Sequence, residues 1–279
     1  MRPFQCLLAS LALLAGLAAV PAQAETYHTC GTLVASLPTV ITTQGVYCFN
    51  KDLQTAITNG YAIDIQTNNV TIDCNNFKIG GLAGGTSSQA VGVHAGATRL
   101  NVTVRNCGIR GYKYGVFLEG GAGHLVEDNR LDNNLYTGIE VDGDNNTVRR
   151  NRVYDTGGFP SSFGYGISAQ ADVIDNNVSG MFATNASPTL YGIFLSGAGT
   201  NARGNEVSGL AVGTGDGFGI TSTANGVSIR GNSVSASAVT VGTGIYGKGF
   251  TDTICSDNHV FKFGTGMNLC QDAGGNASN

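Results

Sequence analysis

The 279-residue chain has no tryptophan, only five prolines, three methionines and four histidines, and 12% of its residues are charged. Each shortage excludes something. The charged fraction is about half of that in an ordinary globular protein. With a formal net charge of −4, it argues against a general nucleic-acid binder, whose affinity rests on neutralising phosphates. The histidines and cysteines show no CxxC or HxH spacing, so no zinc-ligand pattern can be read. No Ser-His-Asp or Cys-His arrangement for nucleophilic catalysis is apparent from the spacings. After the first two dozen residues no stretch is apolar enough to span a bilayer.

The N-terminus has a distinct composition. Arg2 is followed by the Leu- and Ala-rich run Cys6 to Val20 and then by Pro21-Ala22-Gln23-Ala24. A positive start, a short apolar run and small residues at its end predict a secretory signal peptide over residues 1–24, cleaved after Ala24. A secreted or periplasmic protein is therefore expected. Six cysteines remain in the mature chain, Cys30, Cys48, Cys74, Cys107, Cys255 and Cys270. An even number in an exported chain suggests disulfides, with fifteen connectivities open.

What the chain has in abundance is glycine, 42 residues, and a repeat. Gly followed by an aliphatic residue recurs every 22 to 28 positions: Gly92-Val93, Gly115-Val116, Gly138-Ile139, Gly166-Ile167, Gly192-Ile193, Gly219-Ile220, Gly244-Ile245 and Gly266-Met267, with Ala62-Ile63 as a first member. A second series keeps step with it: Asn75, Cys107, Asn129, Asn151, Asn176, Asn205, Asn232 and Asn258, each followed two residues on by an apolar residue, from Phe77 to Val260. Within a unit, apolar residues alternate with polar ones, the period of a half-buried strand. A coil of three short strands has no core alone; stacked coils bury a continuous one. The predicted fold is all-β, a parallel β-helix of about nine rungs over residues 59–270. Residues 25–58 form an N-terminal cap and 271–279 a C-terminal tail. The asparagines, at the bend, are expected to stack rung on rung.

Coils of this length, with Gly-Ile and Asn-x-Val at fixed places, resemble the right-handed parallel β-helix repeat of the pectate-lyase-like superfamily, which includes polysaccharide lyases, polygalacturonases, alginate epimerases and NosD-like carbohydrate-associated domains. The resemblance implies the handedness and an extracellular polysaccharide as partner. Its catalytic signatures are missing: no Asn-Thr-Asp, Asp-Asp, Gly-His-Gly or Arg-Ile-Lys block, no Asp-Pro-His, no Pro-x-x-Arg. The register favours near-neighbour disulfides, Cys30 with Cys48, Cys74 with Cys107 and Cys255 with Cys270.

Outward positions stack as well. After the Gly-aliphatic pairs come Asp64, His94, Phe117, Glu140, Ser168, Phe194, Thr221 and Tyr246; two residues further on lie Glu119 and Asp142. Aromatic faces and carboxylates suit a saccharide, so His94, Phe117, Phe194 and Tyr246 are candidate substrate contacts. Residues i and i+2 of a strand are about 7 Å apart, within the carboxylate separation of an inverting glycosidase. Glu140 and Asp142, with Glu119 beside them, are thus candidate catalytic acids. The same group also suits a Ca²⁺ site or a solvated acidic patch. A second outward column, Asp73, Arg105, Glu127, Arg149, alternates in sign and predicts rung-to-rung ion pairs. Arg203 and Arg230 continue it without a carboxylate between them, and are offset by Glu206 or face an acidic polymer. Two functions remain: a polysaccharide-binding or polysaccharide-cleaving enzyme (lyase or glycosidase), and a non-catalytic rod serving as rigid binding or spacer module.

Overall fold

A computed structural model describes residues 30–161, 163–185, 187–247 and 252–278, without the side chains of 238–241. The expected signal peptide lies outside the described residues. The chain winds as a right-handed parallel β-helix of about nine turns, with three parallel ladders running its length. The first holds Thr39–Ile41, Tyr61–Ile65, Val91–Ala95 and Tyr114–Leu118, and continues through Thr189–Leu195 and Asp216–Ser222. The second runs from Thr32–Leu33 through Gly45–Cys48, Val70–Asp73 and Val102–Arg105 to Ile254–Ser256. The third runs from Leu53–Gln54 through Lys78–Gly80 and Gly108–Arg110 to Ala277–Ser278. Strands Thr137–Arg149 and Phe163–Ile174 turn a corner unbroken and serve the first and second ladders at once.

The predicted inward columns are the core. Ile63, Val93, Val116, Ile139, Ile167, Ile193, Ile220 and Ile245 are fully buried, as are Ile72, Val104, Val126, Val148, Val173, Ala202, Ile229 and Cys255. In the third column the first rung is offset: Ile79, not Phe77, pairs with Ile109. The bend before it contains two left-handed residues, Asn75 and Asn76, and so spends two extra positions.

The recurring glycine has a steric cause. It faces inward at a corner, where a Cβ on Gly166 would lie 2.4 Å from Val178 Cγ1 and 2.6 Å from the carbonyl oxygen of Gly192 on the next rung. Neither neighbour can retreat without breaking the ladder. Gly166→Ala is therefore expected to destabilise by about 1–3 kcal/mol, the usual cost of overpacking, read as a lower urea midpoint with an unchanged slope.

The asparagine series forms a buried hydrogen-bonded ladder. The Asn129 amide donates to Asn151 Oδ1 (3.0 Å) and to the Val104 carbonyl (2.9 Å), and its backbone N–H also donates to Asn151 Oδ1. The pattern repeats through Asn151, Asn176, Asn205, Asn232 and Asn258. Within 271–279, expected as a tail, the described residues carry further strands: Gln271–Asp272 and Ala277–Ser278 pair in parallel with the rung before, and Asn276 extends the asparagine ladder. The segment 25–58, expected as a cap, likewise carries strands of all three ladders. Disulfides join Cys30–Cys48, Cys74–Cys107 and Cys255–Cys270. Among the described residues no helix is long and apolar enough to cross a membrane.

Candidate functional site on the first ladder

The outer face of the first ladder collects most of the candidate residues. Asp64, His94, Phe117, Glu140, Ser168, Phe194, Thr221 and Tyr246 stand in one register, rung above rung. Leu118 pairs with Val141, which brings Glu119 beside Asp142 on neighbouring rungs.

Beside this column runs a second row of rings. Tyr114, Tyr165, Tyr191 and Phe218 each precede the inward glycine, and Tyr136 joins them from the preceding turn. Ring centroids lie 5.1 Å apart for Tyr165–Tyr191, 5.2 Å for Tyr191–Phe218 and 5.7 Å for Tyr136–Tyr165. Phe117 packs on Tyr114, Phe194 on Tyr165 and Tyr191, and Tyr246 on Phe218. The result is a continuous aromatic strip from Tyr114 to Tyr246. The long loops beside it stack on one another through bridges at Gly157, Phe182 and Ala211, and Phe159 leans from the first of them onto Tyr136.

Glu140 stands within this strip. Burial, then the neighbouring charges of Asp142 and Glu119, push its carboxyl up to about 7, against a smaller opposing pull from Lys113. Asp142 is also raised, first by burial and then by Glu119. The phenols of Tyr114, Tyr136 and Tyr165 are raised chiefly by burial, with Glu140 adding to each. Glu140 is thus a carboxylic acid half-protonated near neutral pH and ringed by hydroxyls. The folded chain holds its proton more tightly than the unfolded chain does. Stability should therefore fall as pH rises from the ordinary glutamate range through about 7. Glu140→Gln, which carries no charge at any pH, should flatten that fall by roughly 2–3 kcal/mol. Urea melts on either side of the window check it, and parallel pH curves for the two proteins would remove the argument.

At one end of the strip His94 is held between two carboxylates. Its Nδ1 is 2.8 Å from Asp64 Oδ1 and its Nε2 3.8 Å from Glu119 Oε2, and the ring stacks on Tyr61 at 3.8 Å. His124, by contrast, is a buried clamp in a turn: Nε2 donates to the Gly120 carbonyl, Nδ1 accepts from the Val102 N–H, and burial lowers its pKa.

Arg203 and Arg230 do not join the site. They pair with each other in the second ladder, on a different face of the helix, and Arg230 meets Asp257 at 3.3 Å. Glu206, expected to offset Arg203, accepts from Asn177. The alternating column below them forms the expected ion pairs, Arg105–Asp73 at 2.9 Å and Arg149–Glu127 at 2.7 Å, with Arg150 bridging Glu127 and Asp128. Among the described residues no group of three His, Cys, Asp or Glu is placed to hold a metal ion.

Four residues of the site escape a reading by alternation, Tyr114, Tyr165, Tyr191 and Phe218. The signal was present: an aromatic stands immediately before the glycine in five units, if Ala62 is counted in the glycine's place.

The family model for the right handed beta helix region matches residues 44–190, more than half of the chain. Among solved structures, the A-module of mannuronan C-5 epimerase AlgE4 from Azotobacter vinelandii is similar with a TM-score of 0.47 and 11% identity, over 84% of this chain and 75% of that one. The AlgE6 A-module of the same organism gives 0.43 and 12%, over 84% and 80%. The Dettilon tailspike protein gives 0.42 and 15%, over 88% and 60%. None of these likenesses bears on activity. No curated protein matches the chain significantly.

Proposed function

The chain belongs to the right-handed β-helix family, and from that premise we propose that the outer face of its first ladder binds an extracellular polysaccharide and cleaves it by hydrolysis. One observation carries the reading. Glu140 is an acid titrating near neutrality inside an aromatic strip, and Asp142 follows two residues along the same strand. Sugar rings would lie on Tyr165, Tyr191, Phe194 and Tyr246, with hydroxyl partners in the tyrosines and carboxylates. Glu140 would protonate the leaving glycosidic oxygen, and Asp142 would activate water from about 7 Å away, room enough for that water. His94, fixed by Asp64, would bound the site at one end. The three disulfides suit an exported protein.

A second reading is a non-catalytic binding rod. The strip favours it by running on to Tyr246, well past the rungs that hold the carboxylates. The test is release of new reducing ends from a panel of neutral, basic and acidic polysaccharides by the purified mature protein. Turnover lost in Glu140→Gln and in Asp142→Asn supports hydrolysis at this pair, and full turnover in the double variant removes it. Binding without turnover leaves the rod.

A further inference from the structure

The strip has a consistent charge. Asp64, Glu119, Glu140 and Asp142 lie along one part of it, and the first-ladder strands Tyr61–Ile65, Val91–Ala95, Tyr114–Leu118, Thr189–Leu195 and Asp216–Ser222 hold no lysine or arginine, while Arg149 lies on the second-ladder part of Thr137–Arg149. The cations are elsewhere. Arg105, Arg149, Arg203 and Arg230 are on the second ladder, and Arg110, Arg130 and Arg152 are on the third. Lys113, just before Tyr114, is the exception, and it shows how the strip accommodates an ammonium group. Its Nζ stands 4.7 Å from the ring centre of Phe159, 5.5 Å from Tyr114 and 5.8 Å from Tyr136, while donating to Gln89 Oε1 at 2.8 Å. Further along, Thr221 stands in register between Phe194 and Tyr246, fully buried, with a hydroxyl that has no partner in the protein. It is an unpartnered polar atom buried beneath the strip.

Resting on the saccharide reading above, we propose that this face selects a glycan carrying protonated amino groups, a polyhexosamine, over uronate polymers. An ammonium on the sugar would repeat the Lys113 arrangement over ring faces, with the carboxylates of Glu119 and Asp142 on the same face to attract it. A uronate would set its carboxylates against Asp64, Glu119 and Asp142, with the single ammonium of Lys113, already donating to Gln89, as the cation among the described residues of the face to receive them, a juxtaposition that discriminates between partners.

Titration calorimetry of the mature protein at mildly acidic pH and low ionic strength separates the outcomes. The ligands are fully deacetylated glucosamine oligomers, their N-acetylated counterparts and oligogalacturonates of equal length. The deacetylated oligomer should bind at least about tenfold more tightly than the acetylated one, with the galacturonate weakest. Glu119→Gln combined with Asp142→Asn should erase most of that preference, whereas Tyr191→Ala should weaken both hexosamine ligands alike. Thermal melts verify that each variant folds, and Tyr191→Phe should restore binding. Equal affinity for the two hexosamine oligomers, or tighter binding of the galacturonate, both sensitive to Tyr191→Ala, would overturn the selectivity and leave the saccharide face standing. Binding of none of the three, or binding indifferent to Tyr191→Ala, would overturn the saccharide face itself.

Discussion

Asn176→Ala is expected to lower the unfolding free energy by about 3 kcal/mol or more, a large loss for a side chain with no apolar surface. The Asn176 amide donates to the carbonyls of Val148 and Ile174 and to Asn205 Oδ1, and its own Oδ1 accepts from the backbone and the amide of Asn151. Alanine leaves these groups buried and unpaired, each at about 1–3 kcal/mol. Water cannot take over, since Asn151, Asn176 and Asn205 are at most 2% exposed. Asn176→Asp should fare no better, because a carboxylate cannot donate to the carbonyls and would be a buried charge. The neighbour Asn177, whose amide meets Glu206 at the surface, is the control, and Asn177→Ala should change stability by less than about 0.5 kcal/mol. Urea unfolding followed by circular dichroism reads both. Because each rung contacts only its neighbours, the break at Asn176 should also lower the cooperativity of the transition. A loss below about 1 kcal/mol for Asn176→Ala would show that the ladder is not what holds the bend.

The fold was legible because the inward positions of a β-helix obey one rule on every rung. Ile139, Val148 and Val153 share the same apolar requirement with their counterparts above and below, and Gly138 and Asn151 share a steric and a hydrogen-bonding one. The outward face was legible only in part. Phe117, Glu140 and Phe194 follow the inward Val116, Ile139 and Ile193 by one residue, so alternation places them outside. Tyr114, Tyr165 and Tyr191 precede the inward Val116, Ile167 and Ile193 by two, and alternation would bury them. The glycine between faces inward as its aliphatic neighbour does, so alternation breaks at the pair: Gly115 and Val116 are both buried while the register runs on unbroken, Tyr114 with Val91 and Val116 with Val93. That corner turns the tyrosine back to the surface, and the aromatic strip depends on it. The partnership of His94 with Asp64 spans 30 residues of sequence, and the shared column was its only trace. The C-terminal end keeps the same rule with a shorter step. Asn276 sits 18 residues after Asn258, too short a step for the repeat, because the last turn closes without the long loops of the middle rungs.

Glu140→Gln is expected to reduce hydrolysis by about 10²–10⁴-fold, the usual contribution of a positioned general acid, while leaving saccharide affinity within a few-fold. The amide keeps the size and the hydrogen-bonding reach of the acid and removes only its labile proton. The pH profile adds a sharper requirement. Glu140 must be protonated to act, and its carboxyl titrates at about 7, so the rate should fall above that pH. Asp142 must be ionised to activate water, and burial together with Glu119 raises its carboxyl, so the acid limb should lie above the range of an ordinary aspartate. The wild type should therefore show a narrow bell. Asp142→Asn should match the loss of Glu140→Gln and abolish the acid limb. Glu119→Gln is the discriminating variant. It removes a negative charge that raises both carboxyls, and it should move both limbs to lower pH while preserving most of the maximal rate. A general electrostatic role for the cluster predicts a loss of rate at every pH with limbs unmoved, whereas an acid–base pair predicts limbs that move together at nearly constant height.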